Sequence, residues 1–246
     1  MKIIRTKDYE HMSRVAAMFL LGEALKGYGR KTNISVTGGK TPVRMYEIIC
    51  DFLKENPIPY TEYFNFDDIP LRGREEGVTM HDLRKLFFEP CGIAEEKIHI
   101  FGMQNYENYD ELIEASGGLD MIMLGLGPDG HFCGNLSGTL EQFDNGCRTV
   151  SNNLNQKLHD RVAFLCGGEE NMTEYYVTFG PKTVMNAKKV VMIVSGKEKA
   201  AILKRVIEGK MTVDVPSTIL MLHPDMTIIA DEDALSECFA ISSAKE

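Results

Sequence analysis

A carboxylate and an imidazole two residues apart, Asp129 and His131, stand in the stretch LGLGPDGHFCGNL, residues 124–136. Such a pair can move protons near neutral pH, the acid orienting or polarising the ring. Two more acids, Asp67 and Asp68, follow the apolar segment TEYFNF. They supply a candidate general base and its neighbour, because burial and nearby charge tune a carboxyl group. A solvated turn capped by acids is the plainer alternative there. A third group, Gly38, Gly39, Lys40 and Thr41, precedes Pro42. Glycines let backbone N–H groups approach a ligand, and a following helix brings a partial positive charge, so this loop reads as an anion cradle, with a plain tight βα turn as the alternative. It matches neither the dinucleotide fingerprint nor the P-loop consensus, and no nucleotide is inferred. Lys199, in the first turns of a later helix, stands where it could meet the same anion, or it is a solvated surface lysine. The chemistry implied is general acid–base work beside an anion site, with no metal or cofactor required.

These residues need elements to hold them. Helical spacing runs over 8–26, with Asp8 as a cap. A strand over 33–37 leads into the glycine loop, and a helix follows with Thr41 as N-cap and Pro42 in its first position. Further strands are expected at 61–66, 97–101, 121–126, 189–194 and 226–230. Helices are expected at 79–88, 108–115, 183–187, about 199–208 and 216–222, with a helical tail from Asp233. Ser195 and Glu198 match a capping box. From about 136 to 176 the periodicity fades, which suggests either a lid or a pair of weakly signalled strands. Repeated strand–helix alternation implies a Rossmann-like α/β fold: a mostly parallel sheet covered on both faces, in a single domain over 1–246. Loops 38–42, 67–70, 127–131 and 195–199 would all lie at the carboxyl ends of strands, where ligands bind in such sheets.

Composition removes other classes. At 246 residues and 43% hydrophobic content the chain can bury a full core and is not disordered. A net charge of −9 disfavours nucleic acid as a partner. No apolar run reaches the roughly 18 residues of a membrane span. The six cysteines form no C-x-x-C pair and no zinc pattern. They read as free thiols of a reduced, cytoplasmic protein, with Cys133 notable for lying in the candidate site. A homo-oligomer stays open.

Taken in order, TGGKTP, FNFDDIP, LGLGPDGH, TFGPKTVMNAKKVVMIVSGKEKA and LHPDMTIIADE cover nearly the whole chain. With these segments the chain resembles the glucosamine-6-phosphate deaminase/isomerase and 6-phosphogluconolactonase superfamily. In the deaminase branch the resemblance implies a sugar phosphate held at Gly38, Gly39, Thr41 and Lys199. It makes Asp67 the base at C2 of the opened sugar, and His131, beside Asp129, the group that assists ring opening. Two departures stand out. The deaminases usually carry a glutamate five residues after this histidine, where this chain has Leu136; Glu141, within the lid stretch, is a candidate substitute. The arginine that often completes the phosphate grip has no clear match, and Arg72, Arg148 and Arg161 are the candidates. The resemblance implies an amino-sugar 6-phosphate isomerase/deaminase giving a ketose 6-phosphate and ammonia. Leu136 leans toward the alternative, a phosphosugar lactone hydrolase, and a non-catalytic sugar-phosphate-binding module is the third reading.

Overall fold

The computed structural model describes residues 1–27 and 29–238. Seven strands form one wholly parallel sheet. Its strands are β1 (Lys2–Thr6), β2 (Thr32–Val36), β3 (Thr61–Asn65), β5 (Ile98–His99), β6 (Met121–Gly125), β9 (Val190–Val194) and β10 (Met226–Asp231). Their order is β1-β10-β9-β6-β2-β3-β5. From β2 the chain builds outward through β3 and β5, then returns to place β6 on the other side of β2. The order therefore reverses between β2 and β6, and a crevice opens above their carboxyl ends.

The inner strands are apolar at nearly every position because both faces are covered. Met121, Met123, Val191 and Ile193 point to a core with α1 (Tyr9–Lys26) and α2 (Val43–Glu55), which add Met12, Leu20, Tyr46 and Ile49. Ile122, Leu124, Val190, Met192 and Val194 point the other way, against α4 (Tyr109–Ala115) and α7 (Ala200–Glu208), where Ile113, Leu203 and Val206 meet them. Alternate residues of one strand thus serve opposite cores, as the pleat requires.

A second sheet was hidden in the sequence. The two-residue β4 (Asp67–Asp68) pairs antiparallel with β8 (Tyr175–Thr178), which pairs with β7 (Arg148–Ser151). Between β7 and β8 lies α5 (Gln156–Cys166), capped by Asn155, whose carboxamide accepts from Leu158 N at 3.0 Å, and stopped by Gly167 in the left-handed region. The unpatterned stretch 136–176 is thus two short strands and a helix. Its periodicity is weak because one face packs on Val150, Leu158, Val162, Met172 and Tyr176 over only a few turns.

Several local expectations change. Helix α2 begins at Val43; Pro42 takes the cap position, and Thr41 makes no capping bond. Ser195 does not cap the segment after it. Its hydroxyl donates to the Asp231 carboxylate, which also accepts from Gly196 N at 3.1 Å. An acid at the end of neighbouring β10 outcompetes the local box. Residues 79–88 are a short α3 (Val78–Leu83) followed by a π-helical turn (Arg84–Phe88). Cys50 and Cys91 are joined in a disulfide across 41 residues, which corrects the all-thiol reading. A pair that distant leaves no local spacing to read. The helix expected at 183–187 is α6 (Pro181–Met185), residues 216–222 are a 3-10 helix, and the tail from Asp233 runs as turns to Cys238, its remainder lying outside the described residues. Among the described residues no helix is long and apolar enough to cross a membrane.

Candidate active site

Above the β2/β6 crevice lies a cavity of about 540 Å³. The loop after β2 brings Gly38, Gly39, Lys40 and Thr41 to it; the turn after β6 brings His131; the segment after β9 brings Lys199; and β4 brings Asp67. Asp129 does not line the cavity but bonds to His131 from behind. All the residues expected from sequence therefore converge on one place, Asp129 through the imidazole.

Each is held by local structure. The glycine loop after β2 is pinned where the Tyr46 hydroxyl donates to Thr37 O at 2.7 Å. Gly39 sits at φ +86°, a conformation that a side chain would strain. At the β6 turn, a Cβ on Gly127 would come within 1.9 Å of the His131 ring, so a glycine is needed for the imidazole to fold back over its own turn. Lys199 reaches across the edge, its Nζ donating to Leu126 O at 2.9 Å.

The two adjacent acids have different jobs. Asp68 is buried and accepts from Thr79 N at 3.0 Å and Met80 N at 3.3 Å, capping α3. A Cβ on Gly77 would stand 2.1 Å from its Oδ2, so Gly77 makes room for that cap. Asp67 alone faces the cavity. Asn65 sets this apart: its amide donates to Asp67 O at 3.0 Å and to Phe101 O at 2.9 Å, bending the chain out of β3 so that the next strand joins the small sheet.

Burial, and then the Asp68 charge, push the Asp67 carboxyl up to about 7, although a hydrogen bond from Thr79 and the Arg161 charge pull the other way. Burial likewise raises Asp68 to about 6 against the backbone N–H groups of Met80, Thr79 and Ile69. Burial also opposes ionisation of Asp129, but the bond and charge of His131 outweigh it and hold that carboxyl well below its usual range. Burial lowers His131, with Arg161 and Lys199 adding to it against Asp129. Lys199 is lowered by burial and by Arg161. At neutral pH the site thus holds an ionised Asp129, a neutral imidazole, and an Asp67 near half-ionisation.

Sequence reading did not choose among the arginines, and here they separate. Arg161, on α5, lines the cavity, and its guanidinium Nη2 is 3.4 Å from His131 Nε2. Arg148 lies behind, donating to Asn135 Oδ1 at 3.1 Å, and Arg72 donates to Met172 O at 3.2 Å. Leu158, Val162 and Leu165 line the cavity beside Arg161. That spacing, between an Asn cap and a Gly stop, was the available signal for the helix. Leu136 lines the cavity within the same apolar cluster, while Glu141 is exposed and outside it. Cys133 also lines the cavity, at φ +48°, its thiol pushed up by burial and then by the Asp67 charge. Among the described residues no cluster of three or more His, Cys, Asp or Glu is arranged to hold a metal ion.

The sequence and the fold have parallels among known proteins. The family model for glucosamine-6-phosphate isomerases/6-phosphogluconolactonase matches residues 8–229. Glucosamine-6-phosphate deaminase of Thermoanaerobacter pseudethanolicus is 31% identical over 245 residues, spanning 96% of this chain and 94% of that protein. The deaminase of Halalkalibacterium halodurans is 31% identical over 252 residues, spanning 99% and 100%. Among solved structures, a monomeric glucosamine-6-phosphate deaminase superposes with TM-score 0.83 at 23% identity, covering 96% of this chain and 100% of that one. The 6-phosphogluconolactonase of Trypanosoma cruzi gives 0.74 at 19% identity, with 97% of each chain covered. The solved structures carry the shared fold.

Proposed function

The chain belongs to the glucosamine-6-phosphate isomerase/6-phosphogluconolactonase family, and from that premise we propose that it converts an amino-sugar 6-phosphate and water into a ketose 6-phosphate and ammonia. The observation that carries this reading is the pairing, across one cavity, of a carboxyl raised to about 7 with a carboxylate-backed neutral imidazole. The first can accept a carbon-bound proton, and the second can shuttle one between oxygens.

In this reading Gly38, Gly39, Lys40 and Thr41 receive the phosphate together with Lys199, a loop and an ammonium supplying donors to an anion. His131, oriented by Asp129, takes the proton from O1 and delivers it to the ring oxygen, opening the sugar. Asp67 removes the C2 proton and returns it to C1. The C2 imine left by that shift is hydrolysed by one water, releasing ammonia and leaving the ketone. Helix α5 and the small sheet shield these steps from bulk water.

A panel of phosphosugars assayed together for ammonia release, deuterium exchange at C2 and lactone hydrolysis tests the reading. Ammonia with C2 exchange is the expected result. Lactone hydrolysis without C2 exchange would overturn it. One observation favours that second outcome: Leu136 supplies no second carboxylate to His131, and with Arg161 displaced from Nε2 that nitrogen can activate water on a lactone carbonyl.

A further inference from the structure

Arg161 is the cation that the proposed chemistry does not yet use. Its only side-chain hydrogen bond among the described residues goes to His131 Nε2, at 3.4 Å, and it makes no ion pair among them. A guanidinium carries donors and no acceptor, so Nε2 must accept. The Asp129 carboxylate accepts from Nδ1, so Nδ1 must carry the hydrogen. The two partners together allow one state of the ring: neutral, with its hydrogen on Nδ1. The residue at 136 is a leucine and has no polar atom with which to do this differently.

The same contact has a cost for catalysis. While Arg161 donates to Nε2, the lone pair that His131 needs for proton transfer is occupied. A guanidinium bonds more strongly to an anion than to a neutral imidazole. The cavity in which it sits also holds Lys40 and Lys199 and, on the reading above, receives a phosphate.

We propose that Arg161 is a positioning residue for His131: it holds the imidazole as the Nδ1–H tautomer with Nε2 capped in the free protein, and it leaves Nε2 when the anionic group of the substrate draws the guanidinium away. Substrate binding and activation of the proton shuttle are then one event. The charged groups facing His131 are Asp129 from its own turn, Arg161 from α5 and Lys199 from the segment after β9, with Asp67 of β4 facing Arg161. Two cations against one nearby carboxylate agree with a neutral ring. The release step rests on the phosphosugar reading; the tautomer and its cap do not.

The test is nitrogen-15 NMR of histidine in the full chain, alone and with inorganic phosphate, beside the pH profile of kcat/KM. In the wild type His131 should show the Nδ1–H tautomer, and saturating phosphate should move its Nε2 signal. In Arg161→Gln the titration midpoint of His131 should rise by about one pH unit. The part of the acid limb of kcat/KM that His131 contributes should rise with it, and phosphate should no longer move Nε2. Arg161→Lys, which keeps a donor and a charge, should restore most of the wild-type midpoint and serves if the glutamine variant folds poorly. A variant that binds phosphate more weakly, yet leaves the tautomer, midpoint and limb of His131 unchanged, would make Arg161 an anion ligand alone and overturn the proposal. If the wild type shows the expected histidine behaviour but releases no ammonia from any amino-sugar phosphate, the reaction assignment falls and the role of Arg161 is upheld.

Discussion

The cavity is closed by two walls that differ in almost every respect. One is the carboxyl edge of the parallel sheet, with the turns at 38–41, 127–131 and 195–199. It offers backbone N–H groups, Lys40 and Lys199. The other is the small antiparallel sheet with α5, where Ile69, Leu136, Leu158, Val162 and Tyr176 belong to one apolar cluster and also face the cavity. The first wall is polar and cationic; the second is apolar apart from Arg161 and Asp67. Asp67 sits at their junction, on the edge strand of the apolar wall, and it is there that burial raises a carboxyl most usefully. The difference teaches that a polar, cationic edge can be built from the turns that follow strands, whereas raising a carboxyl by burial requires a surface assembled from distant segments.

The harshest test removes the group at the junction. Asp67→Asn should lower turnover by roughly 10²–10⁴-fold, measured as ammonia release or C2 exchange, with an unchanged circular dichroism spectrum. Full activity in that variant would place the base elsewhere. The pH dependence follows from the same carboxyl. A base acts ionised, so kcat/KM should fall as pH drops through about 7. Stability runs the opposite way. The folded state binds this proton more tightly than the unfolded chain, so raising pH from about 4 to 7 removes stability at this group, and the whole penalty is present above 7. Asp67→Asn should therefore melt higher than wild type at pH 8, with the gain gone by pH 4.

Next comes the apolar wall itself. Leu158 is buried, and Leu158→Ala should cost about 2–5 kcal/mol, read as a lower Tm. If the wall desolvates Asp67, the acid limb of the profile should also move to lower pH. A loss of stability with an unmoved limb would break the division of labour between the walls.

A smaller effect is expected on the binding side. Lys199→Gln removes a charged donor worth about 1.5–3 kcal/mol and should reduce kcat/KM by roughly 10–150-fold, mainly through KM. The acid limb due to Asp67 should stay in place. The smallest change lies on the back of the wall. Phe164 on α5 is 85% exposed, so Phe164→Ser should alter stability by less than about 0.5 kcal/mol and leave kinetics alone. A large loss there would show that α5 depends on its outer face as well as its inner one.

How much of this could be read in advance depends on the range of the interactions. Asp129 and His131 were legible because a glycine turn after an apolar strand is local, and so were Gly38 to Thr41. Thr41 and Ser195 were misread as caps for a physical reason. Each fits a local pattern, but Pro42 already occupies the cap, and Asp231 on the adjacent strand claims the serine. Arg161 could be named as a candidate but not selected, since nothing within its helix says that His131 will stand opposite. The Cys50–Cys91 bond joins α2 to the segment after the π-helical turn and has no local signature at all.

By itself the sequence determined the alternation of strands and helices, the parallel sheet that follows from it, and the edge at which ligands gather. These are consequences of periodicity, turn residues and chain handedness, which act over a few residues at a time. Only the tertiary structure decided that Asp68 caps a helix while Asp67 faces the cavity, that Arg161 rather than Arg148 or Arg72 meets His131, and that Leu136 belongs to a desolvating wall. Those outcomes rest on burial and on pairings such as Asp67 with Thr178, between residues far apart in the chain, and local spacing carries no record of them.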